Sequence, residues 1–236
     1  MAMVNTVGSL EIPKLLRARK NLELVMTDRQ RDILIGCILG DAYVSPQGKL
    51  RIEQSVKQKE YIDWKFNELR SLAYPALPRE INHLNKLNGK TYASIFFVLR
   101  QYFRIWRSIF YEGRNKIFPE NLLISPLTLA IWYMDDGCWT GKKCVIAIEG
   151  FDDQSIFNIQ RAFQSQLGIE TIVGKNRKLI IRKQSHAAFY ALISQFIVPS
   201  MQYKIPNPVT TCPETDGAEL LNSAKTPAPS DTGMKV

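Results

Sequence analysis

Two nine-residue segments of this chain share an unusual form, and together they constrain the fold more than any other feature of the sequence. The segments are "LIGCILGDA" at residues 34–42 and "LAIWYMDDG" at residues 129–137, and each has an aspartate in eighth place, Asp41 and Asp136. Their apolar runs predict buried helices. A carboxylate at a helix C-terminus is unfavourable, because the free carbonyl groups there already carry partial negative charge. The repetition therefore indicates a shared role.

The residues that follow the two aspartates repeat the same order of elements. Hydrophobic periodicity predicts helix, two strands, helix, two strands and helix in each half of the chain. Both halves then end on a lysine shortly before a proline, Lys116 in "NKIFP" and Lys204 in "YKIP". We therefore predict an α/β (α+β) fold made of two αββαββα-type repeats.

The repeat divides the chain into four predicted parts. Residues 28–123 and 124–208 are the two repeats. Residues 1–27 form a basic segment in which "KLLRARK" is a candidate helix. Residues 209–236 contain Pro, Ser and Thr and offer little apolar surface to bury, so we expect this tail to be disordered.

Charge and composition narrow the classes of function. The 236 residues carry a formal net charge of +9, and almost all of the excess lies before residue 209. Such a basic body attracts polyanions, although ordinary solubilising charge is an equal alternative. The four cysteines form no zinc-ligand spacing, and "GCWTGKK" is not a phosphate-binding loop. Without a signal peptide or an apolar run of about 20 residues, we expect an intracellular protein with no membrane partner, in a prokaryotic cytoplasm or an organelle interior.

The spacing inside the motifs predicts how the two helices meet. Gly36 and Gly40 lie on one helical face, where the absence of side chains permits close approach of another backbone; two glycines in a helix otherwise cost about 1 kcal/mol each relative to alanine. Side-by-side packing would bring Asp41 and Asp136 to the same end. The two carboxylates would repel each other there unless a divalent cation joined them, and carboxylates, carbonyls and water are the ligands that Mg²⁺ prefers.

The two motifs resemble the signature motifs of the LAGLIDADG homing endonucleases in their monomeric two-motif form. The resemblance implies a pseudo-dimer with the two motif helices packed at its centre and Asp41 and Asp136 holding divalent metal. It also implies that Lys116 and Lys204 are the basic residues beside the metal sites. The first motif departs from the consensus at Leu39, which replaces an aspartate, and at its last residue, but neither position is the metal ligand.

The resemblance also sets our expectation for the metal and the chemistry. We expect two or more Mg²⁺ or Mn²⁺ ions between the motif helices, bound by the two aspartates together with Ala42 and Gly137 at the motif ends. Paired metal ions hydrolyse phosphodiesters without a protein nucleophile, which agrees with the lack of a convincing Ser–His or Cys–His pair. Gln54 and Ser55 are both near enough in sequence to support Asp41, and the sequence does not decide between them.

DNA recognition is expected on the strands, because a two-stranded ribbon fits the major groove and alternate residues of a strand share one face. The sheets are predicted to form one saddle over a long site, although for each single residue a solvated sheet face is an equal alternative. The candidates are Lys49, Arg51 and Glu53 on the first hairpin, Arg79, Asn82, His83 and Asn85 near the next pair of strands, and Lys142, Lys143, Lys175, Arg177 and Arg182 in the second half.

These expectations combine into one function with two alternatives. We expect a monomeric, site-specific endonuclease that makes a double-strand break in a long, nearly asymmetric DNA target. Intein splicing residues are missing, which favours a free-standing, intron-encoded enzyme. The first alternative is a splicing maturase that binds intron RNA and needs no carboxylate pair. The second is a DNA-binding regulator that no longer cuts, which the presence of both aspartates and both lysines argues against.

Overall fold

The computed structural model describes residues 10–17, 23–87, 89–100 and 102–206, so the predicted tail at 209–236 lies outside the described residues. At the N-terminus, β1 (Leu15–Arg17) pairs antiparallel with β2 (Glu23–Val25). The helix expected at "KLLRARK" is therefore wrong for the described part of that segment. Leu16 is buried while Leu15 is exposed, the alternation of a strand that packs one face on the core.

The first half of the chain has the predicted order of elements. It contains α1 (Asp28–Leu39), β3 (Tyr43–Val44), β4 (Leu50–Ser55), α2 (Lys59–Glu68), β5 (Arg79–Leu84), β6 (Thr91–Leu99) and α3 (Arg104–Phe110), followed by a small hairpin of β7 (Tyr111–Glu112) and β8 (Asn115–Lys116). The larger sheet is antiparallel, with the spatial order β3-β4-β6-β5.

The second half repeats this arrangement. It contains α4 (Pro126–Asp136), β9 (Gly137–Trp139), β10 (Cys144–Ala147), α5 (Asp153–Leu167), β11 (Thr171–Val173), β12 (Lys178–Ile181) and α6 (His186–Ile193). Its sheet is also antiparallel and has the order β9-β10-β12-β11, which matches the first sheet strand for strand. The predicted α/β fold with an internal repeat of elements is confirmed.

Local sequence signals account for where the main helices begin and end. Thr27 and Gln30 form a capping box at the start of α1, and Ser125 caps α4 just before Pro126. Helix α5 begins after Asp152, whose side chain accepts a hydrogen bond from the backbone of Ser155, and ends at a left-handed glycine. None of the helices in the described residues has the length and apolar composition of a membrane span.

Helices α1 and α4 form the centre of the core and pack directly on each other. Every residue from Ile33 to Leu39 and from Leu127 to Met134 is buried, as expected for helices surrounded by protein on all sides. Gly36 and Gly40 lie at this contact. A Cβ atom on Gly36 would stand 2.6 Å from the Ile131 Cβ, and one on Gly40 would stand 2.5 Å from the Asp135 Cβ. Any side chain at these glycines would force the helices apart.

Candidate functional site

Both motif aspartates lie at the C-terminal end of a central helix: Asp41 follows the C-cap of α1, and Asp136 is the last residue of α4. Backbone turns at Gly40 and Gly137 end the helices, so Asp41 and Asp136 lie at the same end of the helix pair. Loss of hydration raises the pKa of the Asp41 carboxyl, although part of the residue is open to solvent, and the carboxylate of Asp135 adds to this rise. Burial also raises the pKa of Asp136, to about 7, and the charges of Asp41 and Asp135 contribute. Three carboxyl groups therefore share one small region.

No side chain in the part of the chain that the structure describes donates a hydrogen bond to the Asp136 carboxylate or forms an ion pair with it, although Asp136 is only partly exposed. The charges of Lys116 and Lys204 lower the pKa of Asp136, but burial and the charges of Asp41 and Asp135 outweigh them. A half-buried carboxylate beside two others is unfavourable unless a cation or a proton neutralises it. This excess of negative charge suits a bound divalent cation.

Two lysines occupy matching positions at the ends of the motif helices. Lys116 Nζ donates a hydrogen bond to the Gly40 carbonyl at 2.6 Å, and Lys204 Nζ donates one to the Asp135 carbonyl at 3.0 Å. Gly40 and Asp135 hold the same place in the two motifs. The ammonium groups thus offset the partial negative charge of the helix C-termini. Burial lowers the pKa of both lysines, while the surrounding carboxylates act in the opposite direction.

A cleft of about 220 Å³ opens beside this region. Lys116 and Asp136 both line it, together with Gly40 and the residues that follow β10. Its lining also includes the apolar side chains of Leu39, Ile148 and Phe151, so Lys116 and Asp136 are charged groups in a mostly apolar cleft that is open to solvent.

The donor atoms at the two helix ends are oxygens of the Asp41 and Asp136 carboxylates and of nearby backbone carbonyls, a type of ligand that Mg²⁺ prefers. Within the described ranges no group of three or more His, Cys, Asp or Glu side chains is arranged to hold a metal ion. Of the two predicted backbone ligands, Ala42 has a carbonyl that accepts a long hydrogen bond from Lys116, at 3.4 Å, and Gly137 begins β9. Their roles as ligands stay predictions.

Comparison with known proteins places the chain in a family. A model of the LAGLIDADG DNA endonuclease family matches residues 31–190. The chain belongs to this family. Among its relatives are a protein named "Probable intron-encoded endonuclease 1" from Wickerhamomyces canadensis, 27% identical over 81% of this chain and 90% of its own length, and "Cytochrome b mRNA maturase bI2" from Saccharomyces cerevisiae, 25% identical over 74% of this chain and 47% of its own length.

Other relatives are larger, and a solved structure shares the fold. "Protein RecA" of Mycobacterium shimoidei is 26% identical over 77% of this chain and 47% of its own length. The chain thus spans about half the length of this and similar relatives. The structure titled "The homing endonuclease I-WcaI bound to its DNA recognition sequence" matches with a TM-score of 0.69 and 24% identity, covering 79% of this chain and 89% of that one. The LAGLIDADG fold is thus shared across most of the described residues.

Three residues of this LAGLIDADG protein lie beside the motif aspartates and are not among its predicted site residues. Gln54 and Asp135 contact Asp41, and Lys65 contacts Asp135. Gln54 Nε2 donates to Asp41 Oδ2 at 2.9 Å, whereas the Ser55 hydroxyl accepts from the backbone of the next turn. Of the two open alternatives, Gln54 is thus the one that contacts Asp41. Asp135 and Lys65 form an ion pair at 2.6 Å, with both side chains fully buried. Lys65 lies on the apolar face of α2, which indicates a buried charge, but the sequence does not show which residue is its partner.

The predicted DNA-binding residues of the first half lie on the outer face of its sheet or at its edge. Arg51 and Glu53 are neighbours on β4 and form an ion pair at 2.7 Å. Arg51 also lies over the ring of Phe96, 3.7 Å from its centre, and Glu53 accepts hydrogen bonds from His83 and Ser94. Exposed side chains surround this cluster, at Lys49 before β4 and at Arg79 and Asn82 on β5, and Asn85 stands in the turn after β5.

The second-half candidates are more dispersed. Lys142 and Lys143 are exposed in the turn between β9 and β10, and Lys175 is exposed in the turn between β11 and β12. Arg177 is engaged internally, because its guanidinium donates to Asp153 at 2.7 Å and to the Phe151 carbonyl at 2.6 Å beside the start of α5. Arg182 pairs with Glu170 at 3.6 Å. The exposed lysines thus keep more freedom to contact phosphates than the two arginines.

Proposed function

We propose that this protein is a homing endonuclease that binds a long, nearly asymmetric double-stranded DNA site and cuts both strands with divalent metal. The observation that carries this proposal is the pair of helix ends at the centre of the fold, each supplying a carboxylate and a lysine. Both carboxylates belong to one chain, so a monomer contains every group that the reaction needs.

The roles of the residues follow from their placement. Asp41 and Asp136 would hold two or more Mg²⁺ or Mn²⁺ ions, with the carbonyls of Ala42 and Gly137 as additional oxygen ligands. Such ions, when bound, neutralise phosphate charge and make a bound water more acidic. Lys116 and Lys204 hold their ammonium groups at the same place by hydrogen bonds to helix-end carbonyls, and there they stabilise negative charge on the phosphate or orient a water.

Double-stranded DNA is the partner that best fits the surface. The net charge of +9 and the exposed lysines and arginines on both sheets favour contact with phosphates. The Arg51–Glu53 pair on β4 offers a donor and an acceptor to base edges in the major groove. This chain matches most of the length of the relative named as an intron-encoded endonuclease. That match supports an intron-encoded enzyme that acts on intracellular DNA.

A splicing maturase is the second candidate, and the relative named as a maturase favours it. The same basic surface would then bind intron RNA. A maturase has no need for a pair of aspartates at the helix ends, so the unpaired Asp136 carboxylate favours the nuclease.

The test is cleavage of a randomised DNA duplex library by the whole protein in Mg²⁺, followed by sequencing of the cut ends. We expect double-strand ends to accumulate at one extended motif, and we expect none when EDTA replaces Mg²⁺ or when Asp41 and Asp136 are both changed to Asn. Absence of Mg²⁺-dependent ends, with retention of a group of intron RNAs in a parallel binding assay, would show that the maturase proposal is the better one.

A further inference from the structure

A buried ion pair joins the two halves of the protein next to the motif aspartates. Lys65 of α2 meets Asp135 of α4, with 2.6 Å between Nζ and Oδ1 and no exposure of either side chain. Asp135 faces Gly40 at the same motif position of the other helix, and only a glycine leaves room for it. The second helix therefore inserts a carboxylate into the first half of the protein.

The Gln54 side chain connects this ion pair to Asp41. The Gln54 side chain is buried, and its Nε2 donates both to Asp41 Oδ2 at 2.9 Å and to Asp135 Oδ1 at 3.2 Å. Both amide hydrogens are thereby used, which leaves the Gln54 side chain one favourable orientation. Lys65, Asp135 and Gln54 together fix the direction of the Asp41 carboxylate.

The equivalent positions around Asp136 hold an apolar residue or a glycine. Strand pairing aligns the two hairpins, so that Ile148 corresponds to Gln54. Lys65 follows Gln54 by the same number of residues as Ile159 follows Ile148, so Ile159 corresponds to Lys65. Both isoleucines are buried. Gly40 stands where Asp135 stands in the other motif. The aligned pairs that fix this correspondence are Tyr43 with Arg51 and Cys138 with Val145.

We propose that Lys65, Asp135 and Gln54 are positioning residues for Asp41 alone, and that the two strands of the DNA are therefore cut at unequal rates. The proposal rests on the proposed nuclease function. A carboxylate that is already oriented loses less freedom when it binds a cation, so it binds at a lower metal concentration. Asp136 has no such support among the described residues and must be ordered by the cation itself. One strand is then cut first, and nicked DNA accumulates when Mg²⁺ is limiting.

The cleavage test uses the duplex selected from the library, labelled on one strand or the other, under single-turnover conditions with limiting Mg²⁺. We expect the wild-type protein to cut one strand about tenfold faster than the other, because a hydrogen bond to a charged group has an effect of that size. Gln54→Ile gives the first half the residue found at the equivalent position of the second half, and it should bring the cleavage rates of the two strands to within about twofold of each other. Gln160→Ile, the same exchange on α5, is the matched control and should keep the wild-type ratio.

A Mn²⁺ titration without DNA gives a readout that does not depend on cleavage. We expect two classes of Mn²⁺ site by electron paramagnetic resonance of the free ion, and we expect Gln54→Ile to weaken the tighter class about tenfold while Gln160→Ile leaves it unchanged. Equal cleavage of both strands by the wild type, an unchanged ratio in Gln54→Ile, or unchanged Mn²⁺ affinity in that variant would overturn the proposal. If the library yields no cut duplex, the nuclease function fails and the titration alone decides the positioning role.

Discussion

Asp41→Asn and Asp136→Asn should each lower the rate of DNA cleavage by roughly 10³-fold or more, with little change in DNA affinity. Asparagine keeps the shape of the side chain but removes the charge that a hard divalent cation requires, so the chemistry loses a metal ligand. Affinity for DNA comes mostly from phosphate contacts made by basic residues elsewhere on the surface, and these are retained. The measurements are single-turnover cleavage in Mg²⁺ and the dissociation constant for the same duplex without Mg²⁺.

The matched control for these two variants is Asp63→Asn. This aspartate is partly exposed and pairs with Lys59 on the surface of α2. The control should cleave at a rate close to that of the wild-type protein. Wild-type rates in either motif variant would show that its aspartate is not a metal ligand.

Lys65→Met should lower the free energy of unfolding by about 3–5 kcal/mol, because it leaves the buried Asp135 carboxylate without its partner. Burial disfavours the charged form of Lys65, but the nearby Asp135 carboxylate outweighs this effect and raises the pKa of the lysine. Lys65 is therefore charged at neutral pH. Removing one charge alone is costly, because the other stays in a region without water. Denaturant unfolding with linear extrapolation measures the difference.

Two further variants separate the loss of the ion pair from other effects of the substitution. The double variant Lys65→Met with Asp135→Asn removes both charges and should be less destabilised than the sum of its single variants. Lys59→Met removes an exposed partner of Asp63 and should leave the free energy of unfolding nearly unchanged. A Lys65→Met protein as stable as Lys59→Met would contradict the assigned ion pair.

The order of elements could be predicted because the sequence contains it twice. Each motif alone is a short apolar run, but the second copy supports the interpretation of the first, and the capping residues of α1, α4 and α5 mark their starts. The N-terminal strand was not predictable in the same way. Residues Leu15–Arg17 form a strand only because Glu23–Val25 pairs with them, and so short a segment carries too little periodicity to distinguish strand from helix.

Some residues of the candidate site could be predicted from the repeat, and others could not. Asp41, Asp136, Lys116 and Lys204 could be named because each lies at a repeated position. Gln54 could also have been chosen over Ser55, since it follows Leu50 and Ile52 on the buried face of β4. The contact of Lys65 with Asp135 could not be read from the chain, because it depends on how close α2 comes to the opposite motif helix. Contacts between the repeats require the tertiary structure.

The proposed cleavage reaction depends most on joint binding of metal by Asp41 and Asp136. Anomalous diffraction from crystals of the whole protein bound to the selected DNA in Mn²⁺ tests it directly, since Mn²⁺ accepts the oxygen ligands that Mg²⁺ uses. We predict anomalous peaks between the two motif-helix ends, with a carboxylate oxygen of Asp41 and of Asp136 about 2.1 Å from a metal ion. Well-ordered DNA with no anomalous peak within bonding distance of either carboxylate would contradict the account.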